Sequence, residues 1–200
     1  MVSRAALLVA VTLLAACMTP QPVPLPLPPT RYQQKGFSFV PLDEPGWVIA
    51  VKEPEQIVLG SRGRNPDETN VLQGVVEPLP ESKSFDDVVA GVLAAPEAEA
   101  PGRYTMESSG SEPAPSIGEK CVRVHQAAKD SGAVHYSGNP ETMVIELWAI
   151  VCPSPDDPAT FILFGYSSRY FASQRVPEME TSAAKALDSF QLTRAQPGGG

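Results

Sequence analysis

The chain has 200 residues, with 15 Lys and Arg against 23 Asp and Glu and a formal net charge of −8. That balance argues against a nucleic-acid binder, whose affinity rests on Lys and Arg contacts to phosphates, and against a polybasic grip on anionic lipid. Opposite charges are interspersed, which describes a solvated surface and not an acidic tail.

The N-terminus carries a single charge, Arg4, followed by an apolar run over 5–16 that ends in Leu14-Ala15-Ala16 and Cys17. A charged start, an apolar stretch and small residues before a cut describe a secretory signal. An uncleaved membrane helix is opposed by the length, because a bilayer core needs roughly 20 apolar residues. An ordinary signal peptide with an incidental cysteine is the other alternative. Leu14-Ala15-Ala16-Cys17 resembles the lipobox of bacterial lipoproteins. The resemblance implies a signal peptide over 1–16, cleavage before Cys17, a diacylglycerol on its thiol and a fatty acyl group, such as palmitate, on the new amine. Two or more acyl chains give stable attachment where one is marginal. Met18 stands where an inner-membrane retention signal would place Asp, so the implied destination is the outer membrane, with the domain in the periplasm or at the cell surface. Loss of Arg4 makes the mature form still more acidic. No other segment is long enough to span a bilayer; 143–152 is apolar but short and carries Glu146.

Six prolines fall within 20–29. Such a run neither pairs in a sheet nor continues a helix, and reads as an extended polyproline spacer of roughly 40 Å. Residues 17–31 are therefore the lipidated Cys17 and a tether. A single globular domain is predicted over 32–194, with a flexible tail at 195–200. About 165 residues without signal and linker bury an adequate core.

Within that domain 36–41 alternates at period two as a first strand, Pro45-Gly46 is a turn, and 47–51, 56–60 and 70–77 follow as strands. Over 84–93 the period changes. Phe85, Val88, Val89, Val92 and Leu93 mark one helical face, with Ser84 as N-cap and Asp86 and Asp87 at the positive helix start. Pro96 to Pro101 is read as ending this helix. Residues 103–108 form a short strand and 109–116, rich in Ser, Gly and Pro, a mobile loop. The clearest strands are 120–126, 143–152 and 160–167. Pro177 opens a last helix with Met179, Ala183, Ala186, Leu187 and Phe190 on its apolar face. Strands following strands imply a mainly antiparallel sheet covered by helices, an α+β domain.

With Cys17 taken by lipid, two cysteines remain. Pairing 120–126 antiparallel with 143–152 so that Cys121 opposes Cys152 places Arg123 opposite Ile150 and His125 opposite Trp148, with the turn inside 130–140. The consistent register predicts a disulfide between Cys121 and Cys152 in an oxidising compartment. His125 and His135 have no metal-ligand spacing, so no metal is expected; His125 is read as a strand residue packing on Trp148, and His135 as a solvated loop residue. A Ser-His hydrolase would need Ser167 or Ser168 with His125 or His135, but 165–169 lacks the last glycine of a nucleophile elbow. The adjacent carboxylates Asp43-Glu44, Asp86-Asp87 and Asp156-Asp157 read as turns and caps. No phosphate loop is present, and no catalytic residue or cofactor is assigned. Arg62, Arg64, Arg169 and Arg175 sit in loops, as scattered charge or as a patch for an anionic partner.

Phe37-Ser38-Phe39 with Pro45-Gly46-Trp47, the middle helix, and the closing run Leu187-Asp188-Ser189-Phe190-Gln191-Leu192 together resemble PsbP-like and DcrB-like domains. The resemblance implies a curved antiparallel sheet between helices, an α/β/α layering. The cysteine pair departs from the general pattern of that family, and its fold carries no shared catalytic residues. The expected function is a non-enzymatic, membrane-anchored envelope lipoprotein, an accessory or assembly factor attached through Cys17 and bound to another envelope protein, with no nucleic acid. The alternatives are the Ser-His hydrolase and a binder of a small hydrophobic or glycan ligand on the concave face of the sheet.

Overall fold

A computed structural model describes residues 22–194; the signal segment, Cys17 and the 195–200 tail lie outside the described residues. The strands are β1 (Val23–Pro24), β2 (Tyr32–Gln34), β3 (Phe37–Phe39), β4 (Val48–Lys52), β5 (Gln56–Arg62), β6 (Thr69–Pro78), β7 (Tyr104–Pro113), β8 (Val122–Asp130), β9 (Met143–Pro153), β10 (Thr160–Phe171) and β11 (Gln191–Leu192). Helix α1 (Phe85–Glu99) follows β6, and α2 (Glu178–Asp188) precedes β11. Eight strands form one open, curved sheet in the order β1-β4-β5-β6-β10-β9-β8-β7, and three form a small second sheet, β11-β3-β2. Each described pairing is antiparallel, so the fold is α+β.

The large sheet is covered on both faces. Side chains alternate along a strand, so Ile162, Phe164, Tyr166, Ser168 and Tyr170 of β10 share one face. The small sheet and α2 pack there: Phe164 meets the rings of Phe37, Phe39 and Phe190, and Ala183, Ala186 and Leu187 are buried alongside. Gly74 of β6 makes the approach possible, because a Cβ there would lie 2.6 Å from Cζ of Phe37. Ser189 closes this layer; its hydroxyl accepts from the Val40 amide at 3.0 Å. On the opposite face α1 seats Val88 and Val89 against Val124, Ala149 and Val151, with Phe85, Val92 and Leu93 beside them, which is the predicted apolar face. Ser84 caps α1 as predicted, accepting from Asp87 N while the Asp87 carboxylate accepts from Ser84 N.

Four expectations need correction. First, the proline run does pair: Val23 and Pro24 lie opposite Ile49 and Val48, the Leu25 amide donates to Trp47 O at 2.9 Å, and Leu25 is buried. Prolines alternate with Val23 and Leu25, so every N–H of this stretch points the same way, toward β4. The proline nitrogens face outward, which an edge strand tolerates. The folded domain thus begins before residue 32. Second, α1 continues through Pro96. Proline removes the donor for the Val92 carbonyl; buried Gln126 of β8 replaces it, its Nε2 donating to Leu93 O at 2.7 Å and Val92 O at 3.4 Å. Third, 109–116 is mostly strand, the outer half of β7. Its side chains face water, so no apolar alternation marks it. Fourth, residues 36–41 do not alternate in burial: Phe37, Ser38 and Phe39 are all buried, and the Ser38 hydroxyl accepts from Arg31 Nη1 at 3.1 Å.

Candidate functional site

β8 and β9 pair in the predicted register, with Arg123 opposite Ile150 and His125 opposite Trp148. Cys121 and Cys152 are disulfide-bonded, their Cα atoms 4.3 Å apart. This hairpin builds the most developed constellation of the molecule. His125, Trp148 and Tyr166 stand in one row on the face that carries α2. The imidazole stacks on the indole with centroids 5.3 Å apart, and the indole meets Tyr166 at 6.0 Å. One step along β9 lies Glu146, whose carboxylate is buried although it is charged. It accepts from His125 Nε2 at 2.9 Å, Tyr170 Oη at 2.7 Å, and Arg175 Nε at 3.1 Å and Nη2 at 3.0 Å. Burial pushes the Glu146 carboxyl up, but the bonds from Arg175, Tyr170 and His125 outweigh it and hold the group below its ordinary value. Burial, reinforced by Glu146, raises the Tyr170 phenol, which stays a neutral donor. Replacing Glu146 by Gln turns one acceptor oxygen into a donor facing two donors. The expected result is a loss of about 2 kcal/mol in urea unfolding.

Above this network the sheet opens to a cleft of about 410 Å³, floored by His125 and Trp148 and walled by Gly110 and Glu112 of β7, Arg123 of β8 and Leu187 of α2. Arg123 is held there by Asp188, at 3.0 Å.

The other sequence candidates are dispersed. Ser168 is buried, and its hydroxyl donates to Asn70 Oδ1 at 2.8 Å; Ser167 projects to the opposite face. Among the described residues neither serine is hydrogen-bonded to His125 or His135. His135 is not the solvated residue expected: its ring stacks on Phe171 at 5.9 Å and its Nδ1 is buried without a partner. The four arginines do not make one patch. Arg62 and Arg169 share a row with Thr69 between them, whereas Arg175 lies on the other face with Glu146. Of the paired carboxylates, Asp87 is a helix cap and Asp157 closes a turn onto the Ala159 amide at 2.9 Å. Among the described residues no three His, Cys, Asp or Glu side chains group to hold a metal ion, and no helix is long and apolar enough to cross a membrane.

A second buried acid, at the end of β8 where the sequence reading has the turn begin, had no sequence signal. Asp130 accepts from Arg103 Nε at 2.7 Å and Nη2 at 2.8 Å and from the Gly132 amide at 3.1 Å, and it forms an ion pair with Arg169 Nη2 at 3.1 Å. Nearby, Asp67 ties the β5–β6 loop to the β8–β9 loop by accepting from the amides of Tyr136 and Ser137 and from the Ser137 hydroxyl.

No protein-family profile matches the sequence, and no curated protein matches it. Among solved structures, the chain is similar to the solution structure of cyanobacterial PsbP (CyanoP) from Synechocystis sp. PCC 6803, at 14% identity and a TM-score of 0.44, over 82% of this chain and 92% of that one.

Proposed function

We propose that this chain is a non-enzymatic envelope lipoprotein, held to the outer membrane by acyl chains on Cys17, whose periplasmic domain is a binding module for another envelope protein. One observation carries the reading: Glu146, His125 and Ser168 are engaged by fixed partners, while the open cleft presents recognition groups. Glu146 is saturated by His125, Tyr170 and Arg175, and Ser168 by Asn70. Catalysis needs a nucleophile and base within reach of each other and of a substrate. Here the aromatic and charged walls of the cleft suit binding instead. The acidic, interspersed surface agrees with a protein partner and not with nucleic acid.

Cross-linking in intact cells, with mass spectrometry of the captured species, tests this. The lipidated protein is expected to yield one dominant envelope partner that is lost in the Cys17→Ala variant. Capture of no specific partner by the anchored form would overturn the accessory role.

A further inference from the structure

We infer that the outer edge of β7 takes up an extended segment of the partner protein as a ninth strand, with an aromatic side chain of that segment laid over Gly110 and a lysine or arginine beside Glu112. The inference rests on the binding-module reading above and names how that binding is made.

The two edges of the large sheet differ. At one end β1 is two residues long and contains proline, the usual way to blunt an edge. At the other end β7 is ten residues long, pairs on one side with β8, and is exposed along nearly its whole length. Its bulge falls between Met106 and Ser108, so the register from Ser108 to Pro113 is unbroken, and Ser109 and Ser111 present outward backbone donors and acceptors while Pro113 adds an outward acceptor alone. Such an edge templates strand addition: the backbone supplies affinity, and pockets for alternate side chains supply selectivity.

Gly110 supplies the pocket. It lies opposite His125, which lies opposite Trp148. A Cβ built on Gly110 meets no heavy atom within 4 Å, so the place above it is empty and opens into the cleft floored by that imidazole and indole. A strand added beyond β7 sits about 4.8 Å away, and its residue in this row looks across a glycine at an aromatic pair. An aromatic ring laid over an edge glycine is a recognised stabilising arrangement in sheets. Charge fixes the neighbouring positions. β7 carries Glu107 and Glu112 and no Lys or Arg. Glu107 is bound by Lys129 at 3.0 Å, whereas Glu112 lines the cleft two residues from Gly110 on the same face, opposite Arg123, whose Nη2 is bound instead by Asp188 at 3.0 Å. The complement is a cation two residues from the aromatic. A second copy of β7 would bring another glycine and more glutamates to this edge, which is the wrong match on both counts.

The probe is a capped nine-residue peptide of threonine and valine with a central tryptophan and a lysine two residues to each side, titrated into the detergent-solubilised lipidated chain. Binding is expected with a dissociation constant below about 1 mM, with amide exchange slowed in β7 and not elsewhere. Gly110→Val fills the empty place, where an added Cβ meets no heavy atom within 4 Å, and Glu112→Gln removes the charge without setting a cation opposite Arg123. Each is expected to weaken binding at least about tenfold with an unchanged thermal midpoint, as is alanine in place of the peptide's tryptophan. Equal binding by Gly110→Val, protection away from β7, no binding at 1 mM, or self-association of the chain through β7 would overturn the inference. Photo-cross-linkers at Ser109 and at Tyr136 in cells separate the two levels. A partner captured only at Tyr136 sinks the β7 mode and leaves the binding-module reading standing; no partner at either position sinks both.

Discussion

Replacing Asp130 by alanine is expected to cost about 3–5 kcal/mol of stability, the range for removing one partner from a buried ion pair. Its side chain is fully buried and is the shared anion of two guanidiniums. Arg103 is partly exposed and recovers some hydration when the acid is gone. Arg169 recovers less, because its Nε is already buried without a partner. At this chain length each kcal/mol moves the thermal midpoint by roughly 2–4 °C, so a drop of about 10 °C is expected in calorimetry. A change under about 1 kcal/mol would mean that water replaces the carboxylate at no cost. The same residue sets a pH response. Burial pushes the Asp130 carboxyl up, but Arg103 and then Arg169 outweigh it, so its folded pKa lies below the ordinary value, as does that of Glu146. A carboxyl depressed in the folded state contributes stability above its unfolded pKa of about 4 and loses it as pH falls through the folded value. The urea midpoint is therefore expected to hold from pH 7 to 5 and to fall steeply below pH 4, less steeply for Asp130→Ala.

The second large effect is the disulfide. Cys121 and Cys152 are 31 residues apart in sequence, and closing a loop of that size restricts the unfolded chain by about 3–4 kcal/mol on loop-entropy grounds. Cys121→Ala with Cys152→Ala is expected to lower the thermal midpoint by roughly 7–15 °C. Both cysteines are buried beside Ile150 and Ile162 in the main core. Mild reductant is thus expected to leave the native protein oxidised and to act only once denaturant opens the sheet. Reduction at an unchanged rate with and without denaturant would show that the hairpin end opens locally.

Elements whose side chains segregate between core and water were legible in the sequence. The β8–β9 register followed from two cysteines and a strand length, and the α1 face followed from a change of period. The rest depended on contacts made far along the chain. Pro96 reads as a stop because the replacement donor, Gln126, sits on another strand. The outer half of β7 reads as loop because its serines and glycine, exposed to water, show no apolar alternation. Glu146 looks like an ordinary strand acid and Asp130 like the start of a turn until the fold brings Arg175 to the one and Arg103 and Arg169 to the other. Of the candidate site, the His125–Trp148 pairing was visible, but the cleft was not, because its walls come from β7 and α2.

The strand order also sets a direction. β1 and β7 terminate opposite ends of one sheet, so seven strand spacings separate them, on the order of 30 Å. A chain acylated at Cys17 would have only six residues, at most about 20 Å, between lipid and Val23. With Val23 to Leu25 docked along β4 instead of hanging free, such an anchor would set the β1–β4 edge as the membrane-proximal rim. On such an anchor the sheet would be a lever whose far rim, β7, sweeps the space beyond the bilayer. Lengthening the chain ahead of Val23 would enlarge that sweep without altering the edge itself.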